Sequence, residues 1–331
     1  MTGPNDRNFT DAKVKLRINH LEASAARYLE EMARADRKEA SELTLGKTRR
    51  LQEKLSRIRQ EVERLEGIAN GLKDAPDGQI SLIDPDARSM ATRGKGTGLV
   101  GYNVQTAVDA ATHLIVAHEV NNRGNDRTQL APMAKAAKAA LKAGELDVIA
   151  DMGYFNGLEI RACVEAGITP NVPRPETSTN RKKGRFVKAD FLYDAAADSY
   201  TCPAGKTLPY RYSRQERGLV LRRYWQNDCR HCPLKARCTS GKERRITRWE
   251  HEDLIDAMQA RIEADPELMR LRRCTVEHPF GTIKAWMGAT HFQMRRLKNV
   301  STEMALHVLS YNLKRMINMI GTGALLKAIA T

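Results

Sequence analysis

Apolar residues recur four and three apart over two long stretches near the start of the chain. In residues 11–37 the series is Val14, Ile18, Leu21, Ala25, Tyr28 and Met32. In residues 47–73 it is Leu51, Leu55, Ile58, Val62, Leu65 and Leu72. This spacing lays an apolar seam along one side of a helix, as in a coiled coil. A break at Ser41–Gly46 separates the two, which predicts an antiparallel hairpin or a dimerisation element. The Arg, Lys and Glu between the seams are ordinary solvated helix surface.

The period then changes to two. Asp74, Pro76, Asp77 and Gly78 mark a linker, followed by Asp84-Pro85-Asp86-Ala87-Arg88 and the run Arg93-Gly94-Lys95-Gly96. That run lacks the spacing of a phosphate-binding loop and reads as a flexible turn. Val100 to Asp109 alternates as a strand does, and His113 to Val120 makes the returning strand. Asp126 stands as an N-cap for a helix through Leu130, Met133, Ala137 and Leu141, ended by Gly144. Asp147–Asp151 is short and apolar, as a buried parallel strand would be. Asn156 and Glu159 form a capping box for a helix that ends at Gly167. The order strand, strand, helix, strand, helix predicts an α/β layered domain. Asp151 falls at the carboxyl edge of its strand, where such sheets collect their chemistry. A loop aspartate bonding the next turn is the other reading.

Near the end, Asp265-Pro266 opens a helix that carries Arg273-Cys-Thr-Val-Glu277-His-Pro-Phe-Gly-Thr-Ile-Lys284. On a regular helix Arg273, Glu277 and Lys284 share one stripe, beside an apolar stripe of Val276, Phe280, Ile283 and Met287. A carboxylate between two cations suits a metal ion held next to a phosphate, or a plain surface ion pair. Pro279 would kink or end the helix. Leu306, Leu309, Leu313, Met316, Ile317 and Ile320 predict a last packing helix, with His307 and Asn312 as satisfied packing residues.

Charge changes the picture. The net charge of +15 favours a polyanionic partner, nucleic acid first. Much of it sits in residues 202–248, which hold Cys202, Cys229, Cys232 and Cys238 among arginines, with Tyr210, Tyr212, Tyr224 and Trp225 interleaved. Aromatic side chains among cations suit backbone contact and base stacking. One Cys-x-x-Cys pair with two looser cysteines fits a zinc site, with His231 as an alternative ligand. An iron–sulfur cluster and a set of buried thiols are the other readings. No stretch approaches the ~20 apolar residues of a membrane span. Six cysteines behind an amino terminus without an apolar signal core place the chain in a reducing cytoplasm.

Ala150-Asp151-Met152-Gly153-Tyr154, followed by Arg273-x-x-x-Glu277 and Lys284, resembles the bacterial insertion-sequence transposases of the DDE type. Gly101-Tyr102-Asn103-Val104-Gln105 and the cysteine-rich basic segment are similar to one branch of them. The resemblance implies a ribonuclease H-like α/β fold: a mixed sheet with flanking helices, an amino-terminal helical hairpin and a Cys-rich insertion. The implied divisions are residues 1–75 for the coiled-coil hairpin, 76–175 for the first part of the catalytic domain, 176–249 for the insertion and 250–331 for the closing helices. Three carboxylates would hold two Mg²⁺ or Mn²⁺ ions, with Asp151 as the second acid and Glu277 as the third. Arg273 and Lys284 take the signature's phosphate-contacting positions. Arg270 stands where the signature has tyrosine, and Arg222, Arg223, Arg244 and Arg245 would contact DNA. The partners implied are transposon ends, target DNA and further copies of the chain. The family's first acid precedes its helical hairpin, and nothing before Val100 reads as that strand. Asp84, Asp86 and Asp109 lie outside any matching motif, so the resemblance predicts an incomplete catalyst, or a DNA-binding or partner-binding fragment.

Overall fold

The computed structural model of the chain describes residues 8–35, 42–75, 77–90 and 99–330. They form two compact units, one of Met1–Thr106, His113–Asn125 and His278–Thr331, the other of Ala107–Thr112 and Asp126–Glu277. Among the described residues no helix is long and apolar enough to cross a membrane.

The first unit opens with β1 (Asn8–Thr10), α1 (Asp11–Ala35), α2 (Glu42–Asp74) and β2 (Gln79–Ser81). β1 and β2 pair antiparallel with Phe9 opposite Ile80, so the chain enters and leaves the helical hairpin at one end. Both predicted seams turn inward: Val14, Leu51, Leu55, Leu65 and Leu72 are buried. Phe9, Val14, Leu65 and Leu72 form one cluster against Ile18, Leu21 and Ile80. β1, β2 and β3 (Arg88–Met90) lie ahead of Val100 as three-residue strands in two-stranded pairs, too short to show an alternating period. One expectation needs correction: α2 begins at Glu42, so Leu43–Gly46 is helix rather than a break. Residues 36–41 and the Arg93–Gly96 run lie outside the described residues.

The predicted strand from Val100 is two strands, β4 (Leu99–Gly101) and β5 (Asn103–Val108), interrupted at Tyr102. β4 pairs with β3, and β5 with β6 (Ile115–Asn121). Tyr102 leaves the ladder, and its hydroxyl donates to buried Asp84 at 2.6 Å.

In the second unit come α3 (Leu130–Leu141), β7 (Leu146–Ile149), α4 (Gly157–Glu165) and β8 (Ile168–Asn171). β7 and β8 run parallel, as predicted, although β7 is half-exposed rather than buried. Asp126 does not cap α3: Gln129 holds the N-cap position without a side-chain bond. The α3 amide of Ala131 donates instead to Glu159 of α4 at 2.9 Å, so Glu159 caps its neighbour and not its own helix. Asn156 does cap α4, accepting from the Leu158 amide at 3.1 Å.

The cysteine-rich segment folds as a sheet that no sequence pattern announced. β9 (Leu192–Asp194), β10 (Ser199–Thr201), β11 (Thr207–Glu216), β12 (Leu219–Tyr224) and β13 (Ile246–Trp249) are ordered β13-β12-β11-β10-β9, all antiparallel. The short α5 (Lys235–Cys238) precedes β13. Positive φ at Arg217 (52°) and Gly218 (79°) closes the β11–β12 hairpin with the twist that such turns require. Phe191, Tyr200, Leu208, Tyr224 and Ile246 form its core. α6 (Glu252–Ala264) then packs Ile255 and Met258 with Trp249, Ile160 and Ile168.

α7 (Glu267–Gly281) starts where expected, with Asp265 accepting the Glu267 amide at 3.1 Å. Pro279 does not end it. The helix continues to Gly281 and widens into a π turn over Thr282–Trp286, a usual accommodation near a residue without an N–H.

α8 (Leu297–Ile329) closes the first unit, and here the predicted stripe is on the wrong side. Leu306, Leu309, Leu313 and Ile320 are exposed, while Val300, Met304, Val308 and Tyr311 are buried. Polar bonds fix that rotation. Asn312 accepts the Ile115 amide at 2.9 Å and donates to its carbonyl at 2.8 Å, and Tyr311 donates to the His113 carbonyl at 2.8 Å. Two carboxylates hold the helix start. Asp84 accepts the Arg296 amide at 3.2 Å and Asp86 the Leu297 amide at 2.8 Å, supplying the cap that Arg296 (φ 71°) cannot.

Replacing Asp84 by Ala therefore strands the Tyr102 hydroxyl and a helix amide together. With hydrogen bonds to a charged group at ~1.5–3 kcal/mol each, Asp84→Ala should cost about 3 kcal/mol of unfolding free energy in urea titration at neutral pH. The loss should be the same with and without magnesium.

Candidate functional site

Asp151 lies two residues past the end of β7, as predicted, and its side chain is half-exposed. One oxygen accepts the Gly153 amide at 2.7 Å, capping the 3₁₀ turn Met152–Tyr154. The other lies 3.6 Å from the guanidinium of Arg272. A Cβ on Gly153 would stand 2.9 Å from Asp151 Oδ1 and 3.6 Å from Asp126 Oδ2. Two carboxylates thus look onto one glycine. A side chain there would make the Asp151 carboxylate shift.

Arg272, not Arg273, reaches Asp151. Adjacent helical residues point about 100° apart, so the spacing rule that selected Arg273 could not select its neighbour. Glu277 is exposed and makes no hydrogen bond or ion pair among the described residues, and the expected Arg273–Glu277 pair is not formed. Arg270 pairs with Glu267 at 3.3 Å on the exposed surface. Lys284 lies with its ammonium 5.7 Å from the Phe280 ring centre. The three remaining aspartates have structural duties. Asp84 and Asp86 hold the start of α8, and Asp109 accepts the Thr112 amide at 2.7 Å inside its own turn.

The basic arginines of the sheet are engaged within it. Arg223 pairs with Glu216 at 2.7 Å and Arg222 with Asp198 at 3.6 Å. Arg245 pairs with Glu243 at 2.7 Å and lies over the Trp225 ring, as does Arg211. Tyr210 and Tyr212 project from β11, each partly exposed. Asp198 accepts the hydroxyls of Tyr193 and Tyr224, both at 2.7 Å.

Cys202, Cys229, Cys232 and Cys238 line one pocket under Phe186, Phe191 and Leu208. Turns present three of them: the Gly205 amide donates to the Cys202 carbonyl at 2.8 Å, and the Cys232 amide to the Cys229 carbonyl at 3.4 Å. All four are free thiols. Arg244 lines the same pocket with its guanidinium over Phe191, and its buried Nε has no partner. Burial pushes the Cys238 thiol up, opposed by Arg244. Among the described residues no group of three or more His, Cys, Asp and Glu side chains is arranged to hold a metal ion, at the thiols or at Asp151.

Residues 201–317 match the family model of the transposase DDE domain. The matched span contains the four cysteines, strands β11 to β13 of the basic sheet and the helix bearing Glu277, and it supports a transposase of the DDE type. Asp151 lies outside it. No curated protein and no solved structure matches the chain.

Thiol environments give a direct check on this geometry. Cys274 is exposed, whereas Cys163 is fully buried with its pKa pushed up to about 11 by burial and by Glu159. Titration with a thiol-reactive disulfide near pH 8 should modify Cys274 first and Cys163 only on unfolding. Early modification of Cys163 would contradict the packing of α4.

Proposed function

We propose that this chain is a DNA transposase of the DDE type, with Asp151 and Glu277 as two of its catalytic acids. The single observation that bears most on this is the Arg272–Asp151 ion pair, which ties α7, the helix bearing Glu277, to the end of β7. By the helical rise, Glu277 stands about 7.5 Å along the axis from Arg272. The family match over residues 201–317 supports the same reading from the Glu277 side.

The donor set suits the proposed ions. Asp151 and Asp126 present hard oxygens that favour Mg²⁺ or Mn²⁺, and a cation there would take over the role of Arg272. Such ions, when bound, activate a water or hydroxyl and stabilise the leaving oxygen of a phosphodiester. Arg270, Arg273 and Lys284 orient the phosphate backbone in this proposal. The basic sheet, with Arg222, Arg223, Arg244 and Arg245, grips DNA by exchanging internal carboxylate partners for phosphates. The four thiols would hold a structural Zn²⁺ by drawing together in their shared pocket. Thiolate donors suit that ion, and the unpartnered Arg244 Nε would gain a sulfur acceptor.

Grip exceeds cutting in this reading. Only two acids sit in motifs of the family, and Asp84, Asp86 and Asp109 have structural roles. Asp126 is the further carboxylate that Gly153 brings beside Asp151.

In the test, binding to transposon-end DNA should weaken steeply with added salt, because bound cationic side chains release counterions. Magnesium- or manganese-dependent cleavage should be slow, and Asp151→Asn or Glu277→Gln should lower it by a further ~10²-fold or more while leaving binding intact. Cleavage that survives both substitutions would remove the transposase reading. Loss with Asp126→Asn would identify the third acid, and no cutting by any form would leave a DNA-binding protein.

Zinc is tested separately. Elemental analysis of purified protein should give one zinc per chain, and chelation should expose the four pocket thiols to modification. Metal-free protein with an intact sheet would reject the site.

A further inference from the structure

The unit that contains α8 has a cleft that the transposase reading leaves unused. His278, Trp286, Tyr311, Lys314, Arg315 and Asn318 line it, and among the described residues no Asp or Glu does. Trp286 closes the π turn with its indole 82% exposed. Trp249, by contrast, is buried, and Trp225 lies beneath two arginines.

The wall behind the indole is fixed. Tyr311 gives its hydroxyl proton to the His113 carbonyl at 2.8 Å, so its oxygen is left to accept from His278 Nδ1 at 2.9 Å. The His113 ring stands 5.1 Å from that of His278. Burial, His113 and Arg315 all hold the His278 pKa below the usual range, which favours the neutral ring with its proton on Nδ1. The cleft therefore presents an aromatic platform, a rigid imidazole wall and cations from Lys314 and Arg315.

An indole left in water is costly, and one set among cations in a cleft lined by no carboxylate matches a ligand that is flat and anionic at once. Duplex DNA hides its base faces inside the stack, so a single exposed indole can meet only an unpaired base. We propose that this cleft receives one unpaired nucleotide of DNA, with its base stacked on Trp286 and its phosphate held by Lys314 and Arg315. The proposal rests on the DNA-binding reading above and specifies which form of DNA this cleft takes.

The test uses the full chain and an oligonucleotide carrying 2-aminopurine, as a single strand and as a blunt duplex of the same sequence. The parent should bind the single strand and quench the 2-aminopurine by stacking. Trp286→Ala should weaken that binding roughly tenfold and abolish the quench, Trp286→Phe should recover part of both, and duplex binding should not change. The double variant Lys314→Gln/Arg315→Gln should lower the salt dependence of single-strand binding by about one to two phosphate contacts. Because the indole is exposed, melting temperature should be unaltered by Trp286→Ala, which separates lost binding from lost folding. Unchanged single-strand affinity and quench in Trp286→Ala, with duplex binding intact, would overturn the cleft while sparing the DNA-binding reading. A parent that binds neither form would overturn both. A change in sedimentation alone would assign the indole to contact between copies and overturn the nucleotide site.

Discussion

In the second unit the architecture turns on one buried carboxylate. Glu252 begins α6, accepts the Trp249 amide at 2.9 Å, pairs with Arg174 at 2.8 Å and with Lys188. Burial by itself would raise its pKa, but Lys188, Arg174 and the Trp249 amide prevail and hold it below the ordinary carboxylate range. Burial lowers the pKa of Lys188 as well, so the pair persists because three donors converge on one acid. The network secures a junction: the last strand of the antiparallel sheet and the helix that packs on Ile160 and Ile168 meet at this residue. Removing one partner from such a buried network leaves an uncompensated charge, a cost of several kcal/mol.

Much of the amino-terminal hairpin was legible because its seams need only a period, and a period survives without knowledge of the partner. Asn312 was legible in role for a related reason: an amide on a helix flank finds a backbone to bond, and here it bonds both groups of Ile115. The stripe of α8 was not. That helix carries two apolar rows, Val300–Met304–Val308 and Leu306–Leu309–Leu313, and hydrophobicity cannot rank them. The side facing inward was chosen by Tyr311, Asn312 and the Asp84–Asp86 cap, all contacts with residues about two hundred positions away. The five-stranded sheet was hidden differently. Its longest strand runs Tyr210-Arg211-Tyr212-Ser213-Arg214, and long amphipathic side chains cover apolar surface without reading as apolar. Arg248 is buried with its guanidinium 3.8 Å above the Tyr193 ring.

At the candidate site the sequence located elements better than partners. Asp151 lies where a strand-end rule put it, and the glycine two residues on has the carboxylates of Asp151 and Asp126 beside it. Arg272 went unremarked because it lies beside Arg273, which sits in a signature, and Asp126 was read as a helix cap rather than as a neighbour of Gly153. Neither spacing nor charge separates Arg272 from Arg273. Only the direction of the helix face toward β7 does.

The π turn interrupts the regular period on which the Arg273–Glu277–Lys284 stripe is drawn, and Lys284 lies within it. Three residues share a face only while the helix keeps its period. Past Pro279 the bonds lengthen: the Met287 amide donates to Thr282 at 3.0 Å, five residues back, and Ala289 to Ile283 at 3.1 Å, six back. Each residue added to a turn rotates the remainder of the helix by about 100° relative to a regular one. The apolar stripe nevertheless carries through the turn, with Ile283 buried and Met287 half-buried. Trp286, the last residue of the π turn and off that stripe, is an exposed indole two residues beyond Lys284.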